Sequence, residues 1–196
     1  KRKAAEGVDV RVIYDDMGCI MLLPRDYAKQ LRDLGIRCHV FSRYVPVLNA
    51  RLNNRNHRKI GISDGKVAFT GGINLADEYI NAYEKHGHWK DSALRVEGKA
   101  AWSLTLIFLE MWALCKGEQE DFEAFYPWKD APCDIQTDGF VQPYADNPMV
   151  EDRVAEDVYL NLTNQANKTL WFTTPYLIIT DEVNRALGLA AKRGVD

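Results

Sequence analysis

The chain has no apolar run long enough to cross a bilayer. Its longest, residues 100–115, is interrupted by Ser103, Thr105 and Glu110 and falls short of the roughly 20 continuous residues a spanning helix needs. Cysteine is sparse too. Cys19, Cys38, Cys115 and Cys133 stand far apart, with no CxxC pair and no Cys/His ligand spacing. A disulfide scaffold and a zinc module are therefore excluded, and the four read as reduced, mostly buried thiols. No secretory signal pattern opens the sequence. Nor does one sign of charge dominate, since a net charge of −3 over 196 residues argues against a protein that coats nucleic acid at large.

What is present is ordinary in bulk and uneven in detail. Hydrophobic residues make up 46% and charged residues 27%, enough for a full core at this length. Residues 37–66 hold seven Lys/Arg against one acid, Asp64, whereas residues 117–157 hold twelve acids against Lys129 and Arg153. The basic block surrounds the one stretch dense in chemistry, as expected for an anionic ligand.

That stretch is NHRKIGISDGKVAFTGGIN, residues 56–74. Read as a strand, it puts His57 and Lys59 on one face and Ile60 and Ile62 on the other. Asp64-Gly65 is a two-residue hairpin signal, and Val67 and Phe69 resume the apolar alternation on the return strand. Gly71-Gly72 allows a sharp turn and close backbone approach, bringing Asn74 back beside His57. An imidazole, an ammonium and a carboxamide converging on one small space suit a tetrahedral anion such as phosphate.

In chain order, a strand over residues 8–14, a helix closed by Gly35 and a strand over residues 36–41 predict a right-handed parallel crossover. A long loop over residues 42–56 leads into His57 and carries Arg51 and Arg55, expected to touch the ligand. Beyond the hairpin come a helical turn at 75–79, a strand at 91–97 and a helix at 99–115. His86 and His88 have no patterned acid or cysteine partner, so no metal site is expected there. Residues 150–166 read as a helix, 169–176 as a buried strand, and 181–193 as a helix capped by Thr180 and stopped by Gly194. AAEGVD at 4–9 returns as AKRGVD at 191–196, an internal repeat.

The spacing of His57, Lys59 and Asp64 resembles the HxKx4D signature of the phospholipase D superfamily, and Gly71, Gly72 and Asn74 resemble its Gly-Gly-x-Asn continuation. LNNRNHRKI, FTGGINLADEY, the Trp89-Lys90-Asp91 segment and LIFLEMWAL are similar to bacterial cardiolipin synthases over nearly the whole chain. The resemblance implies an α/β fold with a mixed, largely parallel sheet and helices on both faces. Three segments are expected. Residues 1–116 would form the first half-domain with the motif, 117–149 an acidic, proline-containing linker, and 150–196 the opening helix-strand-helix of a second half. That last segment is expected to fill the sheet of the first half, burying Leu170, Phe172, Leu177 and Leu187.

By resemblance the chemistry is phosphatidyl transfer through a phosphohistidine, making cardiolipin from two phosphatidylglycerols and releasing glycerol. His57 would be the nucleophile, with Lys59, Gly72 and Asn74 holding the phosphoryl oxygens and no metal or cofactor required. Asp64, equally readable as a turn residue, and Asp91 are both candidates to orient the imidazole; Arg51 and Arg55 are candidate headgroup contacts. The partners implied are anionic phospholipid and a second HxK half, in cis in a longer parent or from a second chain. The chain starts at Lys1 and reads as an excised, soluble piece of an enzyme at the cytoplasmic face of the bacterial membrane, inactive as a monomer. Two other readings stand beside this one. A phosphodiesterase acting on nucleic acid would need stacking aromatics, and only Phe41 and Tyr44 lie near the motif. The other is a half-domain that binds phosphate or lipid without turnover.

Overall fold

A computed structural model describes residues 1–43, 55–85, 87–137, 139–146, 151–174 and 177–196. The chain divides into two units, Lys1–Pro143 and Tyr144–Asp196. The fold is mixed α/β.

The first unit opens with a helical turn, α1 (Arg2–Ala5), followed by β1 (Arg11–Asp15) and the short α2 (Asp16–Cys19). Helix α3 (Tyr27–Asp33) then leads to β2 (Arg37–Phe41), which pairs parallel to β1 with Arg11 opposite Arg37 and Asp15 opposite Phe41. This is the expected crossover, and a positive φ at Gly35 ends its helix. A second ladder is antiparallel. Strands β3 (Ile60–Ser63), β4 (Val67–Gly71) and β5 (Ala93–Glu97) lie in that order. Asp64 and Gly65 join β3 to β4 with φ of 53° and 67°, the positive pair that a type I′ turn demands.

The long helix α4 (Lys99–Lys116) touches β2, β3, β4 and β5, so it serves both ladders at once. This explains why its sequence is apolar on more than one face. Ala101 and Leu104 pack on Ala68 with Ile60, Ile62 and Val96 around them, while Trp112 meets His39 of β2 edge-on at 4.4 Å. Each large side chain so buried contributes roughly 1.5–3 kcal/mol. Gly98 and Gly117, both at positive φ, bound the helix.

Of residues 117–149, read from acidity and proline content as a linker, the part up to Pro143 belongs to the first unit, and its first residues pack on α4 and β1. A 3-10 turn at Phe122–Phe125 brings Phe125 to the guanidinium of Arg11, 4.6 Å from ring to Cζ, with Trp112 at 4.9 Å. Arg11 also pairs with Glu120 at 2.8 Å, their side chains only 9% and 11% exposed. Tyr126 meets Trp102 edge-on at 5.3 Å. Acidity there reflects one buried partner, Glu120, among solvated neighbours.

The second unit contains α5 (Val154–Gln165) and α6 (Asp181–Lys192), which pack on each other. Thr180 caps α6 by accepting from the Val183 N–H and donates to Glu156 of α5. Arg193 donates to the Thr163 carbonyl at 3.0 Å.

Residues 169–174 differ from expectation, since they form no strand. Their ladder-like contact is with the chain's last residue, where Asp196 N–H donates to the Lys168 carbonyl at 2.9 Å and Leu170 N–H to the Asp196 carbonyl at 2.7 Å. Phe172 and Leu177 are exposed, not buried as expected. Pro175 and Tyr176 lie outside the described residues.

The internal repeat has matching geometry. Gly7 (φ 87°) donates to the Ala4 carbonyl and Val8 to Lys3; Gly194 (φ 85°) donates to Ala191 and Val195 to Ala190. Both helices stop in the same way, with glycine in the left-handed region.

Arg11 is buried with a carboxylate and between two aromatic faces, so removing it strands Glu120. Arg11→Ala is expected to cost about 3–5 kcal/mol, read as a lowered urea midpoint, with Arg11→Lys recovering only part because ammonium does not stack as a planar guanidinium does.

Candidate active site

The site is built at the carboxyl end of β1 and the entry to β3. Asp15, last residue of β1, has a side chain only 8% exposed. Its carboxylate accepts the Gly18 N–H at 3.1 Å, the Arg55 Nε at 3.1 Å to both oxygens, and the Asn56 N–H at 2.7 Å. One buried acid thus caps α2 and anchors the backbone immediately before His57. The predicted strand over residues 8–14 stops just short of Asp15, which had no predicted role. The available signal was a carboxylate at the carboxyl end of a parallel strand, where α/β proteins gather ligands.

His57 is exposed and precedes β3 without joining it. Burial, followed by the positive charges of Lys59 and Arg55, pushes its imidazole below the ordinary 6.5, with Asp15 opposing. The shift favours the neutral form near pH 7. Lys59 is half-buried and folds back, its Nζ donating to the His57 carbonyl at 2.8 Å. Burial also lowers its pKa, against the opposing charge of Asp91.

The other side of the site is set by glycine. Neither Gly71 nor Gly72 has a positive φ, so the reason for both is steric and not a sharp turn. A Cβ on Gly71 would lie 2.6 Å from the Ser92 carbonyl oxygen, and one on Gly72 would lie 2.7 Å from Asp91 Oδ1. The two glycines let the backbone after β4 lie against the segment entering β5. Asp91 is held there by its own neighbours, accepting Trp89 Nε1 at 3.1 Å and the Ser92 N–H at 2.8 Å.

Trp89 is itself clamped. Asn81, at φ 55°, accepts the Trp89 N–H at 2.6 Å and donates to its carbonyl at 2.8 Å. Tyr79 meets the indole edge-on at 4.7 Å and accepts the Asn74 Nδ2 at 2.6 Å. Asn74, Tyr79, Trp89 and Asp91 form one continuous support. Asn81 and Tyr79 were not read as site residues, because a left-handed asparagine clamping a distant backbone leaves no periodic trace.

The structure thus brings Lys59, Asp91 and Gly72 together, with His57 beside Lys59 and Arg55. Asp64 is not brought in. It sits exposed at the hairpin tip, with the length of β3 between it and Lys59. Asp15 opposes the lowering of the His57 pKa by burial, Lys59 and Arg55, and Asp91 opposes the lowering of the Lys59 pKa by burial. Arg55, a candidate headgroup contact, is paired with Asp15 but keeps 44% of its side chain exposed. Arg51 lies outside the described residues.

Comparison with known proteins gives the family. Residues 1–112 match the family model described as cardiolipin synthase, PLD-like domain. The chain is 46% identical over 197 residues to an uncharacterized protein of Streptococcus mutans, covering 100% of this chain and 42% of that protein. It is 38% identical to a cardiolipin synthase of Alkalihalophilus pseudofirmus, covering 99% of this chain and 38% of the relative. A cardiolipin synthase of Halalkalibacterium halodurans is 35% identical over 196 residues, 100% of this chain and 38% of its own. The chain belongs to the cardiolipin synthase family of phospholipase D-like domains. It spans about two fifths of the length of these relatives. No described helix is long and apolar enough to cross a membrane.

Because a neighbouring cation disfavours imidazolium, the His57 ring protons should titrate with a midpoint below 6.5 in NMR. Lys59→Ala removes one lowering cause and is expected to move that midpoint upward. An unchanged midpoint would mean that Lys59 does not act on His57.

Proposed function

We propose that the site transfers a phosphatidyl group between phospholipids, with His57 as the nucleophile. The observation that carries this reading is an exposed imidazole beside a half-buried ammonium, on a backbone fixed by Asp15. The neutral ring nitrogen attacks phosphorus, and the P–O bond to the departing glycerol breaks. That alkoxide takes a proton from a second histidine. The same second histidine then removes the proton of an incoming glycerol hydroxyl, which attacks phosphorus. The N–P bond breaks and His57 is neutral again. Lys59 and Asn74, with the Gly72 N–H, stabilise the charge that builds on the phosphoryl oxygens.

With phosphatidylglycerol as both donor and acceptor the products are cardiolipin and glycerol. The substrate assignment draws on what the relatives are named for, and on the basic composition around the motif.

One HxKx4D motif occurs in these 196 residues, while the cycle needs two histidines. The second comes from the other half of a longer parent or from a second copy. A lone copy is expected to bind a phosphodiester without turning it over, a role that the non-enzymatic reading shares.

In the longer parent, His57→Ala should abolish transfer while leaving the thermal unfolding midpoint unchanged, since an exposed side chain contributes little packing. For the 196-residue chain, specific activity on phosphatidylglycerol should be near zero when dilute and rise with concentration as copies pair. Concentration-independent turnover would contradict the two-histidine cycle, and near-wild-type activity of the alanine variant would remove the phosphohistidine.

A further inference from the structure

Beside the site, the turn after α2 presents Ile20, Met21 and Leu22 outward, with Met21 90% and Leu22 76% exposed. The turn is closed by Leu22 and Leu23 N–H groups donating to the Cys19 carbonyl at 2.9 and 2.8 Å. Its backbone is therefore satisfied without using those side chains. An ordered turn holds Met21 and Leu22 largely in water with Ile20 partly covered beside them, and such runs mark an interaction surface.

Their place relative to the site is set by α2. Gly18 of α2 lies against the Arg55 guanidinium, where a Cβ would come within 3.3 Å of it, and Asp15 ties both to the backbone before His57. The apolar turn begins two residues beyond that contact. A second exposed apolar pair flanks the other side, for Leu75 follows Asn74 and is fully exposed, and Ile80 follows Tyr79 and is 67% exposed.

From these apolar groups beside clustered cations, we infer that the Ile20–Leu22 turn, assisted by Leu75, is a docking surface that inserts into an anionic phospholipid bilayer at the mouth of the site. The inference rests on the proposed phosphatidyl-transfer reading. Charge selects the occupant. Arg55, 44% exposed, lies against Gly18 just before the turn, Arg58 and Lys59 follow it within four positions in sequence, and Arg25 follows the turn. Cations beside exposed Met and Leu fit an acidic headgroup layer over acyl chains, and each component strengthens the other's binding. Asp16, Asp26, Asp77 and Glu78 flank the apolar groups; Glu78 accepts from the Tyr83 hydroxyl at 3.2 Å and Asp26 from Gln30 Nε2 at 3.1 Å. A substrate with two acyl chains would otherwise have to leave the bilayer completely, at ~0.8 kcal/mol per CH₂ exposed.

The test uses the 196-residue chain, wild type and Met21→Ser/Leu22→Ser, co-sedimented with vesicles of phosphatidylglycerol or phosphatidylcholine. The wild type should prefer phosphatidylglycerol and lose affinity with added salt. The variant should bind phosphatidylglycerol vesicles about tenfold more weakly or worse, as expected for loss of two inserted side chains. Both proteins should give the same NMR shift of His57 with soluble glycerophosphoglycerol. Equal vesicle affinity of variant and wild type overturns the surface. So does a wild-type dimer, seen by sedimentation velocity, that the substitution dissociates, since a second copy would then be the occupant. Failure of glycerophosphoglycerol to shift His57 in either protein overturns the underlying function instead, and is separable from the vesicle result.

Discussion

The geometry of the site depends on the carboxylate of Asp15. It ends a parallel strand, is nearly excluded from water, and accepts from a helix N-terminus, a guanidinium and a backbone N–H. A buried carboxylate left without such donors would cost several kcal/mol, so the donors are held as firmly as they hold it. The consequence for His57 is indirect. Its backbone is fixed at Asn56, one residue away, while its ring stays exposed. Rigidity in the main chain and freedom at the ring is what a nucleophile that must meet an incoming phosphorus requires.

The opposite wall follows a different rule. Gly71 and Gly72 remove side-chain volume so that the strand end can lie against residues 91–93, and Asp91 occupies the space that a Cβ would have taken. Asp91 then favours the charged form of Lys59, which burial alone would weaken. Lys59 in turn helps keep His57 neutral. The chain of influence runs from carboxylate to ammonium to imidazole, and each step has the sign that the proposed chemistry needs. An ammonium must stay charged to hold an anion, and an imidazole must stay neutral to attack one.

Much of this was legible in the sequence where local chemistry carries the signal. Asp64-Gly65 predicts the hairpin because few other pairs adopt two positive φ angles in succession. The crossover of β1, α3 and β2 follows from apolar alternation and Gly35. His57, Lys59 and Asn74 stand out by residue type and spacing. What was not legible depends on partners distant in sequence. Asp15 looks like any strand-end acid until Arg55 and Asn56 are folded onto it. Glu120 and Phe125 are hidden in an acidic, proline-containing stretch, and only the burial of Arg11 shows why they are there. The run 169–174 illustrates the converse, since apolar composition alone does not make a strand, and this run forms none.

The central claim is that His57 attacks phosphorus. A diester with a good leaving group isolates that step, because nitrophenolate departs without the proton a second histidine would supply. Bis(p-nitrophenyl) phosphate mixed with the 196-residue chain should therefore give a burst of nitrophenolate approaching one equivalent per chain. An acid-labile phosphoryl adduct should follow on the peptide containing His57, found by mass spectrometry. A chain that binds the diester yet shows neither burst nor adduct, or carries the adduct on another residue, would contradict the account.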